Sequence, residues 1–99
     1  MSAKYELHVT GQFKLDLKHC KKRGLPLDVL WAVIGQLLND EPLDEKYHAH
    51  QLSGEPKRPW ECHIQPDWLL IWEKRDEELI LIMLNTGSHS DLFSKRRKK

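Results

Sequence analysis

Apolar side chains recur most regularly between Leu27 and Leu38, where Leu27, Leu30, Trp31, Ile34, Leu37 and Leu38 follow the i, i+3, i+4, i+7 spacing of a helix with one buried face. Pro26 suits the first turn of that helix, and Asn39-Asp40-Glu41-Pro42 ends it. An earlier helix is predicted from Phe13, Leu17 and Cys20 on one side, with Lys14, Lys18, Lys21 and Lys22 on the other. Thr10 is placed to cap its start and Gly24 to end it. Strands are predicted where the period drops to two. Tyr5 to Val9 alternates weakly, and Trp60, Cys62 and Ile64 alternate with Glu61 and His63. Trp68 to Glu73 and Leu79 to Asn85 are further strands, joined by an Arg75-Asp76-Glu77-Glu78 turn. The last is apolar on both faces and is therefore expected at the centre of a sheet.

This order predicts an α+β fold, with a two-helix hairpin packed on one face of a mostly antiparallel four-stranded sheet. Between Leu43 and Pro59 no period is sustained, and the stretch reads as a long loop of the kind that carries function. Strand parity turns His63 away from Trp60, Cys62 and Ile64, toward the face without helices. Thr86 to Asp91 is expected to leave the sheet as a polar loop.

Ninety-nine residues fit one domain with a modest core. The net charge of +1 hides an asymmetry: Lys95-Arg96-Arg97-Lys98-Lys99 is entirely basic, and without it the chain is at −4. The domain is accordingly expected over residues 1–94, with 95–99 a flexible basic tail able to meet phosphates. No apolar run reaches the ~18 residues of a membrane span, and the start lacks the layout of a signal peptide. The expectation is a cytoplasmic protein with no membrane partner. Cys20 and Cys62 fall on apolar faces and are expected to be buried thiols, not a disulfide.

Six histidines add the candidate chemistry. His50, His63 and His89, with Asp67 after Pro66, supply groups suited to general acid–base catalysis near neutral pH. Cleavage of RNA without a metal needs such a set: a base for the ribose 2′-hydroxyl, an acid for the leaving 5′-oxygen and a donor for the phosphate. Trp68 and Phe93 offer flat surfaces for bases. Ordinary structural roles stand beside these: Asp67 as a turn residue, Trp68 as core, His89 as a solvated loop residue. His48 and His50 with His63, His89 or Cys62 also have the makings of a metal site, but no second closely spaced ligand pair accompanies them. No metal or cofactor is expected.

Three segments carry a resemblance. They are Tyr47-x-x-His50-x-Leu52-x-Gly54, Cys62-His63-Ile64-Gln65-Pro66-Asp67-Trp68, and Thr86-Gly87-Ser88-His89-Ser90-Asp91-Leu92-Phe93. In this order and spacing they resemble the YafQ branch of the RelE/ParE toxin superfamily, over nearly the whole chain except the tail. The resemblance implies a RelE-like microbial ribonuclease fold. It implies the toxin of a type II toxin–antitoxin system that cleaves mRNA in the ribosomal A site, leaving a 2′,3′-cyclic phosphate and a 5′-hydroxyl. It further implies a cognate antitoxin and the ribosome as partners. His50, His63, Asp67 and His89 match the catalytic positions, with His89 as acid and Asp67 or His50 as base. Trp68 and Phe93 match aromatics near the site, and Asn85, Arg58, Lys57 and His48 are the remaining expected RNA contacts. Asn85 stands where many relatives carry Arg, and His48-Ala49 where Lys-Asp is common. The second reading is therefore a catalytically weakened RelE-fold module that mainly binds antitoxin or ribosome. The gyrase-poisoning branch of the superfamily would have no use for the histidines.

Overall fold

The computed structural model describes residues 3–52 and 59–94, with side chains as far as Leu92. Lys57, Arg58, the Phe93 side chain and the tail at 95–99 lie outside the described residues. Strand β1 (Glu6–Val9) leads into helices α1 (Gly11–Lys22) and α2 (Leu27–Leu38). A 3₁₀ turn (Glu45–Tyr47) and a two-residue strand β2 (His50–Gln51) follow. Then come β3 (Trp60–Gln65), β4 (Trp68–Arg75), β5 (Ile80–Gly87) and a π-helical turn at Ser90–Ser94.

The ends of α1 follow from local chemistry. The Thr10 hydroxyl accepts from the Phe13 N–H, a side-chain cap on an otherwise unpaired donor. At the other end Leu25 N–H donates to Cys20 O and Gly24 N–H to Lys21 O, the paired bonds of a Schellman ending. That ending needs a left-handed residue, and Gly24 supplies it with φ +78. In α2, Pro26 lies just before the helix, where its missing N–H costs nothing. Leu30, Val33 and Ile34 form the buried stripe of α2, while Trp31 stays 41% exposed and meets Phe13 only edge-on.

The sheet has five strands in the order β1-β5-β4-β3-β2, one more than the sequence pattern predicts. The addition is β2, where His50 and Gln51 pair with Glu61 and Trp60 inside the stretch expected to be loop. Two residues are too few to show a period. All pairings are antiparallel except β1 with β5, which are parallel. β5 is an interior strand, flanked by β1 and β4, as its two apolar faces predict, and it runs on through Thr86 and Gly87, which were expected in the loop. The helix-covered face carries the main core, including Phe13, Cys20, Ile34, Cys62, Leu70, Trp72 and Met83. On the other face Leu69 and Ile71 pack under Leu92, which the last turn folds back onto the sheet.

One buried carboxylate ties α1 to β5. Asp16 is 7% exposed and accepts from the Thr86 N–H at 3.0 Å, the Gln12 side chain at 2.9 Å and the Asn85 side chain at 3.4 Å. A charge-assisted acceptor with this much of its capacity filled holds strand and helix in fixed register. Replacing Asp16 by Ala would leave the Thr86 N–H buried and unpaired. We expect Asp16→Ala to lower unfolding free energy by roughly 2–3 kcal/mol, read by urea denaturation, and Asp16→Asn, which keeps an acceptor, to cost less.

Candidate active site

The site lies on the β3 face opposite the helices, where strand parity directs His63. Three imidazoles stand in a row there. The His48 and His63 rings are 5.9 Å apart in an edge-on contact, and the His63 and His89 rings are 5.8 Å apart. They come from three separate elements: the end of the 3₁₀ turn, β3, and the loop after β5.

Each ring is set by its neighbours. His48 sits in the left-handed region at φ 51, ψ 47, where a non-glycine residue is uncommon. Asp44 fixes the turn before it by accepting from the Lys46 N–H. His63 Nδ1 lies 3.3 Å from the Pro66 carbonyl, so the turn made by Gln65, Pro66 and Asp67 orients the ring. A carbonyl only accepts, so Nδ1 carries the proton and Nε2 is the acceptor nitrogen of the neutral ring. The same turn aims Asp67 at His89. Asp67 Oδ1 accepts from the His89 backbone N–H at 3.1 Å and from its Nδ1 at 3.0 Å.

The loop bearing His89 is locked by reciprocal capping. Ser88 Oγ accepts from the Asp91 N–H, and Asp91 Oδ2 accepts from the Ser88 N–H. Arg23 reaches Asp91 from the end of α1 at 2.8 Å. Gly87 permits the turn into this loop. Its φ is +156, and a Cβ there would come within 3.2 Å of Asp91 Oδ2.

Of the residues expected to be catalytic, His63, Asp67 and His89 come together, and His48 joins them although it was expected only as an RNA contact. His50 lies beside them on β2, opposite Glu61. Its Nδ1 donates to the His48 carbonyl at 2.8 Å, and its Nε2 lies 3.2 Å from Glu61 Oε1. Sequence reasoning missed Glu61. It is only 6% exposed, two residues before His63 on β3, and that shared parity was the available signal.

Two of the expected RNA contacts need correction. Trp68 is 1% exposed; its indole N–H donates to Thr86 Oγ1 at 2.9 Å, and its ring belongs to the main core, so it offers no stacking surface. Asn85 is also buried, with its amide turned to Asp16. Both follow from the sheet: a side chain that reads as surface in a short strand is covered once helices pack over its neighbours. Arg58, Lys57 and the Phe93 ring fall outside the described residues.

The cysteines are inert partners of the core. Both thiols are free and buried. Burial, reinforced by the charge of Glu61, pushes Cys62 up to about 12, and burial followed by Asp16 raises Cys20. Neither is a thiolate near neutral pH. Among the described residues no group of three or more His, Cys, Asp or Glu side chains has the arrangement to hold a metal ion. No helix among them is long and apolar enough to cross a membrane.

The α+β fold that carries this row of imidazoles is shared with solved bacterial toxins. A metal-bound toxin from Helicobacter pylori superposes with a TM-score of 0.85 at 38% identity, covering 94% of this chain and all of that one. The toxin in the Escherichia coli DinJ–YafQ toxin–antitoxin complex superposes at 0.83 with 32% identity, covering 91% of this chain and 98% of the other. Residues 5–94 match the family described as the bacterial toxin of type II toxin–antitoxin systems, YafQ, and the chain belongs to that family. The mRNA interferase toxin YafQ of Escherichia coli K12 is 33% identical over 89 residues, which are 89% of this chain and 95% of the relative.

The His89–Asp67 contact has a direct signature. Side-chain and backbone hydrogen bonds from His89 hold the Asp67 carboxyl below its ordinary value of 3.8. For a carboxylate lowered in this way, the contact persists above that value and is lost only as pH falls through the lowered one. We expect carbon-detected NMR titration to place the Asp67 midpoint below 3.8, and His89→Ala to move it upward.

Proposed function

We propose that this chain is an endoribonuclease toxin that cuts mRNA in the ribosomal A site, with side chains alone supplying acid and base. The observation that carries the reading is His89, held at Nδ1 and at its backbone N–H by one Asp67 oxygen, with His63 5.8 Å away. Asp67 keeps the Nδ1 proton in place, so proton exchange with substrate falls to Nε2 of His89. His63, with Nδ1 donating to Pro66, presents Nε2 as a base.

A phosphate between the two rings would react in line. His63 takes the proton of the ribose 2′-hydroxyl as O2′ forms a bond to phosphorus. The P–O5′ bond breaks, and His89 returns a proton to the leaving oxygen. The products are a 2′,3′-cyclic phosphate and a 5′-hydroxyl end. In this scheme Asp67 orients His89 through Oδ1, and His63 is the base. His50, paired with Glu61, lies beside the row. Support for the substrate class comes from the Escherichia coli K12 relative, named an mRNA interferase, and support for an antitoxin partner from the DinJ–YafQ complex. Both partners would be met in the cytoplasm.

Primer extension on mRNA after brief induction tests the reading. Discrete cuts in the wild type should fall by about 10²-fold or more in His89→Ala, the usual share of a general acid. No cuts from a folded, soluble wild type would reject it in favour of a binding role.

A further inference from the structure

Beyond the histidine row the surface opens into a cleft of about 600 Å³. It runs between the 3₁₀ turn and the β3–β4 turn, and is lined by Lys46, Tyr47, His48, His63, Gln65 and Pro66 with Val29 and Ile64. His63 is thus shared: one side meets His89, and the other forms the wall of the cleft together with His48.

The lining is mixed in a specific way. Tyr47 packs against the main core, which fixes its ring as a wall, and Pro66 is a second rigid surface. Lys46 Nζ lies over the Tyr47 ring, 5.3 Å from its centroid, which places an ammonium group at that wall. Gln65, exposed on the turn, has an amide that both donates and accepts. A flat apolar wall, a cation and a two-way hydrogen-bonding amide are the elements needed for base, phosphate and base edge respectively.

We propose that this cleft holds the nucleotide of the single-stranded RNA next to the scissile phosphate, and that Gln65 sets part of the sequence preference. The base lies against Tyr47 and Pro66, Gln65 reads its edge, and Lys46 neutralises a phosphate. This rests on the endoribonuclease reading. Contacts to phosphate fix position without regard to sequence, whereas contacts to a base edge discriminate. The two side chains therefore have different signatures. Both are exposed and make no core contacts, so their alanine variants should fold.

The test uses the full chain and ribosomes programmed with mRNAs that differ only in the bases flanking the cut. Gln65→Ala should compress the ratio between best and worst cleaved sequences by about fivefold, the scale of one lost hydrogen bond. Lys46→Ala should slow all sequences by a similar factor while keeping their ranking. A Gln65→Ala variant that keeps the full ratio between best and worst cleaved sequences, whether at full rate or uniformly slowed, overturns the proposal while the nuclease stands. If the wild type cuts none of the mRNAs, the endoribonuclease reading fails, and this proposal with it.

Discussion

Thr86 is the point through which the site is held. Its N–H donates to Asp16 of α1, its hydroxyl donates to the Leu69 carbonyl of β4, and that same hydroxyl accepts from the Trp68 indole. All three bonds are buried, where a hydrogen bond is stronger and a missing partner costs more. Asp67 precedes Trp68 and His89 lies three residues beyond Thr86. The meeting of those two side chains therefore depends on a side chain that touches neither. Trp68 belongs to this support. Its proximity to the reactive groups in sequence reflects the job of fixing the turn from behind.

The site combines a rigid base with exposed reactive groups. Asp67 and His89 are largely in solvent, at 72% and 54% side-chain exposure, so their hydrogen bonds contribute geometry more than stability. Burial of the pair would strengthen the bond but shut out a polymeric substrate. The fold resolves this by burying Thr86, Asp16 and Trp68 and leaving the imidazoles on the surface. A buried carboxylate on that side, Glu61, stands against His50 and brings negative charge close to the histidine row.

The elements legible in the sequence were those governed by local rules. The α2 periodicity, the Thr10 cap, the Gly24 ending and the inward cysteines all rest on interactions within a few residues. His63 and Asp67 could be placed because a strand alternates and a Pro-containing turn reverses it. What escaped depends on partners far along the chain. β2 exists only because β3 offers an edge, and the parallel pairing of β1 with β5 joins Glu6 to Ile80. Trp68 takes the core role that stood beside stacking, and the burial of Asn85 depends on Asp16 of α1, far along the chain. The left-handed backbone at His48, which no period reveals, brings its ring to His63, while His50 pairs with Glu61.

The sheet order also has a temporal side. β5 lies between β1 and β4, yet it is the last strand in sequence, so the first strand made has no partner until the final one appears. During synthesis β3 and β4 can form their hairpin early, but α1 has no β5 to pack on, and His89 has not yet met Asp67. Pairing across such sequence separation is slow to nucleate because the connecting chain must first be closed. A growing polypeptide of this kind carries no assembled histidine row for most of its synthesis.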